Sequence, residues 1–436
     1  MNMETEFPKG WIGQLAPLLG GRLPVFLDAL SRPPLRGIRM RKGLEPIPDA
    51  EEKIPWAKDA YYLPLSSQAG ALPAHEAGAY YLQEPSAMAA AAALDARPGE
   101  RVLDLCAAPG GKSTQIAADM AGKGLVVCNE PVPSRAQILS RNLERMGVVN
   151  ALCVSALPEE LSKRWPRFFD RVLVDAPCSG EGMFRRHPQT RLEWKENAPA
   201  GCALRQRQIL DEAASMLRPG GTLVYSTCTF SAEENEGVIQ GFLSAHPGWA
   251  LSPIILPALP KNDGMLRLWP HEVKGEGHFA AQLIKPGDDD RGGLLIEETL
   301  PMPDKNALAA AEDFLLEQIE GSVRPNAVFA GKMILAPDGL PPLKGVKTLR
   351  VGLQLGEMKG RVFIPDHALA LALPCKKRLP VTEAEARAYQ AGQVLNVAQD
   401  CKGFYTPTLS GLAIGWGKAS GGQLKNHYPK GLRKPL

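Results

Sequence analysis

The sequence predicts an α/β protein, a parallel sheet with helices on both faces and an added segment at each end. Three observations lead there. From Pro98 to about Ile284, short apolar runs alternate with longer helical stretches, the pattern of buried parallel strands covered by crossover helices. The composition then breaks at Lys285 to Gly293, Lys-Pro-Gly-Asp-Asp-Asp-Arg-Gly-Gly. Finally, Cys106, Glu130, Asp175 and Cys228 all fall at the expected carboxyl ends of strands, where open parallel sheets gather their chemistry.

Taken in order, residues 1–95 form a basic, proline-containing segment. Arg101 to Leu105 reads as a buried strand, Ser113 to Met120 as a helix, Leu125 to Cys128 as a strand, and Ser134 to Met146 as a helix ended by Gly147. Arg171 to Val174 is another apolar strand. Ala203 to Leu217 carries apolar residues at helical spacing and stops at the breaker cluster Arg218-Pro219-Gly220-Gly221, after which Thr222 to Ser226 reads as a strand. Ser231 and Glu234 stand in the S-x-x-E arrangement of a capping box, so a helix is expected just after Cys228, running to Leu243. Residues 96–286 thus form the central domain, and 295–436, rich in Gly and Pro, a mixed region of strands and short helices.

Bulk properties exclude several classes. A length of 436 residues allows two or three domains at about 150 residues each. Hydrophobic content of 44% and charged content of 22% fit an ordinary folded protein. The segment Met1 to Gly10 lacks the apolar core of an export signal, and the longest apolar stretch, around Ala87 to Leu94, is too short to cross a bilayer. Eight cysteines without a CxxC pair fit neither a disulfide scaffold nor a zinc site, so a reducing cytoplasm and no metal are expected. The net charge of +3 is small, but Lys402, Lys418, Lys425, Lys430, Arg433 and Lys434 follow Asp400 without an acidic residue, and Arg32, Arg36, Arg39, Arg41 and Lys42 cluster near the start. Either cluster can be plain solvated surface; the aromatic company of Tyr405, Trp416 and Tyr428 points the tail toward RNA.

The stretch Asp104-Leu105-Cys106-Ala107-Ala108-Pro109-Gly110-Gly111-Lys112 is a strand ending in a loop of small residues that opens a helix, a place where backbone can approach a nucleotide-like ligand. Cys106 stands where a phosphate-binding P-loop needs its first glycine, and the adjacent glycines do not make the dinucleotide fingerprint, so ATP and NAD are disfavoured. Glu130 ends the second strand, where a carboxylate can take the two hydroxyls of an adenosine ribose, which suits S-adenosylmethionine. Asp175-Ala176-Pro177-Cys178-Ser179-Gly180 ends one strand and Ser226-Thr227-Cys228-Thr229 the next, so two thiols and an acid meet at one sheet edge. Cys128 and Cys153 lie inside apolar strand patterns and are assigned to the core, Cys106 to the ligand loop, while Cys202, Cys375 and Cys401 have no motif around them.

These three ordered motifs resemble those of the Sun-type RNA 5-methylcytosine methyltransferases, and more closely the bacterial RsmF-like ribosomal RNA enzymes, over nearly the whole chain. Pro33 to Gly37 and Lys425 to Gly431 share that likeness. The resemblance implies a Rossmann-like methyltransferase sheet, an N-terminal RNA-binding extension and a C-terminal α+β PUA-like domain. It further implies that Cys228 is the nucleophile, that Cys178 helps release the product, and that Asp175 contacts base or cofactor. Cys106, Ala107, Ala108, Pro109, Gly110, Gly111, Lys112, Glu130 and Arg135 would surround S-adenosylmethionine. Where many relatives place an acidic or amide residue for adenine, this chain offers Ser155.

Such chemistry demands this residue set. Carbon five of cytosine is a poor nucleophile, so a thiolate must first add to carbon six, and an acid such as Asp175 eases the charge that reaches ring nitrogen three. The expected activity is methylation of cytidine in RNA of the small ribosomal subunit (16S), by a cytoplasmic monomer, with transfer RNA as the alternative substrate. DNA cytosine methyltransferases share only a Pro-Cys strand end, and a non-catalytic RNA-binding assembly factor would not need Cys228 and Asp175 intact.

Overall fold

The computed structural model describes residues 7–288 and 297–434. Most of the expected break at Lys285 to Gly293, and the first part of Met1 to Gly10, lie outside the described residues.

Two helices, α1 (Lys9–Leu19) and α2 (Leu23–Ser31), open the chain, followed by an antiparallel sheet of β1 (Arg36–Met40), β2 (Ala60–Leu63) and β3 (Tyr80–Leu82) in the order β2-β1-β3. The alanine-rich run becomes a buried helix, α3 (Met88–Leu94), whose small side chains let it lie close against the sheet. The central strands are β4 (Arg101–Asp104), β5 (Leu125–Asn129), β6 (Ala151–Val154), β7 (Phe169–Asp175), β8 (Leu217–Thr227), β9 (Met265–Leu268) and β10 (His278–Ile284). They lie in the order β9-β10-β8-β7-β4-β5-β6, with β4 to β8 parallel and β9 and β10 antiparallel to their neighbours. The chain runs outward from β4 to β6 and returns to β7 on the other side of β4, which opens a crevice beyond the carboxyl ends of β4 and β7.

Period-two alternation fills both faces. Leu103, Val127, Leu152 and Val172 point into one core, and Val102, Val126, Ala151 and Leu173 into the other. The crossovers are α4 (Gly111–Asp119), α5 (Pro133–Arg145), α6 (Pro158–Arg164), α7 (Ala198–Met216) and α8 (Glu236–Ala245). Each fully buried Leu or Val contributes roughly 1.5–3 kcal/mol, so these two layers carry most of the driving force. Cys128 and Cys153 are in the core as expected.

Two local expectations need correcting. The Arg218-Pro219-Gly220-Gly221 cluster does not separate helix from strand; it lies within β8, where register jumps from Phe169↔Leu217 to Arg171↔Thr222 and Gly220 takes φ +70°. The expected capping box forms only by half. Ser231 Oγ accepts from the Glu234 backbone N–H at 3.4 Å, but the Glu234 carboxylate turns away to the backbone N–H of Ser179 and the side chain of Gln206, and the helix begins only at Glu236.

The charged ends also differ from expectation. Arg39 is 3% exposed and donates to Thr114 Oγ1 at 2.6 Å, Arg41 donates to the Leu371 carbonyl, Arg36 to those of Leu65 and Ser67, and Arg32 pairs with Asp28. Arg36, Arg39 and Arg41 thus join parts of the protein to one another, while Arg32 and Lys42 are exposed. In the tail, Trp416 and Tyr428 are core residues, because Trp416 Nε1 finds the Asp366 carbonyl and Tyr428 packs on His367, while the lysines around them are exposed.

The C-terminal region holds a helix, α9 (Lys305–Gln318), and a strand, β11 (Thr348–Val351), which pairs antiparallel with β6 and extends the central sheet. Its last part includes β12 (Gly403–Leu409), β13 (Gly417–Ser420) and β14 (Gln423–Asn426), which lie side by side in a separate sheet. Among the described residues no helix is long and apolar enough to cross a membrane.

Candidate active site

The crevice between β4 and β7 holds a groove of about 910 Å³. Cys106, Ala108, Glu130, Arg135, Asp175, Cys178 and Cys228 all line it, so the residues singled out from three separate motifs converge on one space. A side chamber of about 290 Å³ adjoins it, sharing Cys106, Ala108, Asp175 and Met183 with the groove; Ala107, Pro109, Gly111 and Lys112 face this chamber, with Tyr81 and Gln83 opposite. Gly110 lines neither space. Its φ of +112° suits glycine, and an added Cβ would sit 3.1 Å from Leu139 Cδ1, so this glycine serves the packing of the loop on α5.

Glu130 directly follows β5 and is buried, accepting from the Val132 backbone N–H at 3.0 Å and facing Arg135 Nη1 at 3.3 Å. Arg135 also donates to the Ala108 carbonyl at 3.3 Å, strapping the first turn of α5 to the loop after β4. Ser155 does not line the groove; its hydroxyl turns to the Pro131 carbonyl at 3.3 Å. Instead Val132 and Leu157, both about half exposed, present apolar side chains to the groove. Periodicity could not reveal them, since each lies in a connection rather than on a helix or strand face.

Parallel pairing of Asp175 with Ser226 sets β7 and β8 in register, and the two loops that follow bring Cys178 Sγ and Cys228 Sγ to 3.4 Å. The hydrogen bond to Cys228, and after it burial, push the Cys178 thiol up. Beside them Lys112 Nζ meets Asp175 Oδ2 at 2.8 Å, and Ser226 Oγ donates to Asp175 Oδ1 at 2.8 Å. Burial opposes charge on both partners, yet their mutual attraction outweighs it: Asp175 is held below the ordinary carboxyl value and Lys112 above the ordinary lysine value.

Two further groups escaped the sequence reading. His278, at the start of β10, puts Nε2 3.7 Å from Asp175 Oδ1; burial, with the Lys112 charge second, pushes its imidazole down to about 3, so it is neutral. Asp104, whose Oδ2 accepts from Ser113 Oγ at 2.7 Å, is pushed up to about 7 by burial. His278 stands on an antiparallel strand added after the parallel unit, and no spacing rule links it to Asp175.

Comparison with known proteins places this geometry. Residues 91–284 match the family model described as 16S rRNA methyltransferase RsmB/F. Residues 7–85 match the N-terminal domain of 16S rRNA methyltransferase RsmF, 311–373 the RsmF rRNA methyltransferase first C-terminal domain, and 376–434 the methyltransferase RsmF PUA domain. Ribosomal RNA small subunit methyltransferase F of Klebsiella pneumoniae is 31% identical over 98% of this chain and 96% of its own length. The chain belongs to the RsmB/F methyltransferase family. The Shewanella amazonensis relative of the same name is 33% identical over 90% of this chain and 88% of its own. A methyltransferase homolog from Pyrococcus horikoshii, 29% identical, superposes with a TM-score of 0.56 over 65% of this chain and 98% of that one. NSun6 from the same organism, 22% identical, shares the fold with a TM-score of 0.57 over 65% of this chain and all of its own. In this RsmB/F-family chain the Rossmann-like sheet therefore carries an N-terminal domain and a C-terminal PUA domain, as the motifs led one to expect.

Proposed function

We propose that this enzyme transfers a methyl group from S-adenosylmethionine to carbon five of a cytidine in 16S ribosomal RNA, with Cys228 as covalent nucleophile. The observation that carries the reading is the meeting of Cys178 and Cys228 beside the Lys112–Asp175 pair at one rim of the groove. The names of the relatives support the small-subunit RNA as substrate.

The donor set of the groove fits the cofactor. Glu130 would hold the ribose hydroxyls, Val132 and Leu157 would enclose the adenine, Cys106 and Ala108 would border the sulfonium end, and Arg135 would keep Glu130 oriented. The cofactor supplies an electrophilic methyl group. Cys228 adds as thiolate to carbon six, forming a carbon–sulfur bond and moving the ring electrons toward nitrogen three; the proton that its thiol gives up would replace the one that the Lys112–Asp175 pair passes to nitrogen three. Carbon five then takes the methyl group. The carbon-five proton would then pass to Cys178 in its thiolate form, while the electron pair restores the carbon five–carbon six double bond and expels Cys228 as thiolate, which the proton returned from nitrogen three neutralises.

RNA would reach the site along a basic surface. Lys418 and Lys425 are direct cross-strand neighbours on β13 and β14, both exposed, a like-charged pair that an RNA phosphate would relieve. On this reading residues 1–95 form the N-terminal extension, 96–286 the catalytic domain and 295–436 the C-terminal RNA-binding region, in a cytoplasmic monomer.

The test is denaturing electrophoresis after incubation with RNA and S-adenosylmethionine. Cys178→Ala should accumulate a covalent protein–RNA complex, and the Cys178→Ala, Cys228→Ala double variant should show none. Equal behaviour of the two would overturn the assignment of roles.

A further inference from the structure

Behind the two cysteines lies a polar cluster that the reaction above does not use. Glu181 and Glu234 are both fully buried, and Ser179 and Thr229, the residues that directly follow Cys178 and Cys228, stand between them. Ser179 Oγ is within hydrogen-bond reach of Glu181 Oε1 at 2.7 Å and also of Glu234 Oε1. Thr229 Oγ1 contacts Glu181 Oε2, and lies 3.3 Å from Glu234 Oε1 and 3.1 Å from Ser179 Oγ.

Counting protons gives this cluster a direction. Each hydroxyl has one proton to donate. Glu181 already receives Trp194 Nε1–H at 2.9 Å and the Phe230 backbone N–H at 3.2 Å, one on each oxygen. Glu234 Oε2 receives the Ser179 backbone N–H at 3.0 Å and Gln206 Nε2–H at 2.8 Å, which leaves Glu234 Oε1 facing two hydroxyl oxygens. If Ser179 and Thr229 both donate to Glu181, that carboxylate gathers four donors, and Glu234 Oε1 must carry a proton to bond Ser179 Oγ. The reverse assignment would set the Glu181 carboxyl proton against groups that already donate to both its oxygens.

We propose that Glu234, protonated on Oε1, and Glu181, ionised, act through Ser179 and Thr229 as a single-proton clamp that holds the loops of Cys178 and Cys228 at reacting distance. Both are positioning residues, and the inference rests on the assignment of Cys228 as nucleophile. The groups facing Glu234 are Glu181, Cys178, Cys202 and Tyr225, whose hydroxyl donates to the Glu234 carbonyl. None supplies positive charge, and burial raises the Glu234 carboxyl to about 7. Ionisation of Glu234 would put two carboxylates on one hydroxyl and drive the loops apart.

The clamp is asymmetric, and this makes it testable in the full-length enzyme with 16S RNA and labelled S-adenosylmethionine. In Glu234→Gln the amide N–H replaces the carboxyl proton and its oxygen keeps the bonds from Ser179 and Gln206, so kcat should stay within about threefold of the parent at pH 6. In Glu181→Gln an amide N–H faces other donors, and kcat should fall at least about tenfold with little change in KM. In the parent, kcat should also carry a loss as pH rises past about 7 that is absent from Glu234→Gln. Equal losses in the two variants, or an unchanged pH profile in Glu234→Gln, would overturn the clamp. Should Glu181→Gln fail to fold, the activity and pH profile of Glu234→Gln decide it. Failure of the nucleophile assignment shows separately, as methyl transfer retained by Cys228→Ala.

Discussion

Asp104 illustrates how a single buried acid shapes the behaviour of the protein. Its Oδ1 has no hydrogen-bond partner among the described residues, and burial lifts its carboxyl from the ordinary value to about 7, alongside Glu234. An acid whose folded value is raised binds its proton more tightly in the native state than in the unfolded chain. The resulting stabilisation is fully present below about pH 4 and is lost as pH rises through about 7. Asp175 works in the opposite sense: its value is lowered, so its contribution is present above the ordinary carboxyl range and is lost on acidification. Thermal melting should therefore show a fall in Tm from this group between about pH 4 and 7, and Asp104→Asn should reduce that fall by at least about 2 °C. A slope identical to the parent would contradict the burial account. The same arithmetic explains why Lys112 is needed: without it Asp175 would be a charge half enclosed by protein with only a hydroxyl to satisfy it.

Among the connecting elements, the turn after Cys178 depends on a close backbone approach at Gly182. Gly182 donates its backbone N–H to the Cys228 carbonyl at 2.7 Å, and a Cβ at this position would lie 2.4 Å from that oxygen. Gly182→Ala must push the Cys228 backbone away, at a cost of about 1–3 kcal/mol. Methyl transfer should drop at least about tenfold while S-adenosylmethionine affinity, measured by calorimetry, is kept, because Glu130 and the loop after β4 are not disturbed. Equal loss of both would show that the whole domain, rather than the cysteine loop, had given way. The first helices support the same two loops from outside: Trp11 of α1 packs against Phe184 and Phe230, which follow Cys178 and Cys228 respectively, and Phe26 of α2 stacks edge-on against Phe230 and Trp269. The N-terminal helices thus buttress the reaction rim.

At the level of the complete chain, the two basic clusters differ in what their side chains meet within the protein. The N-terminal arginines bond to Thr114, to Leu371 and to backbone carbonyls within the protein, so replacing them would damage assembly of the parts before it touched RNA. In the tail, removing everything after Asp400 would delete β12, β13 and β14 with the buried Trp416 and Tyr428, which makes truncation a test of folding. Charge reversal at Lys418 and Lys425 is the cleaner experiment. The double Glu variant should bind RNA more weakly and lose roughly 1.5–2 from the slope of log affinity against log salt, measured by filter binding from low to physiological salt. An unchanged slope would remove this face from the RNA path. The pairing of β11 with β6 adds a structural reason for the C-terminal region, since it covers an edge that the parallel sheet would otherwise expose.

Much of this was readable from the residues in order. Alternating apolar runs specify strands and helices because burial follows local periodicity, and the stretches from Asp104 to Lys112, Asp175 to Gly180 and Ser226 to Thr229 carry their chemistry within a few consecutive residues. What could not be read were the contacts between distant segments that no motif or strand end marks. His278 beside Asp175, the Glu181 and Glu234 carboxyls behind the cysteines, and the arginines spent inside the protein each depend on partners tens to hundreds of positions away. Ser231 and Glu234 show the boundary most clearly. Their spacing favours a capping box, but the free energy of a buried acid meeting Ser179 and Gln206 exceeds that of one helix cap, so the long-range contacts redirected the side chain.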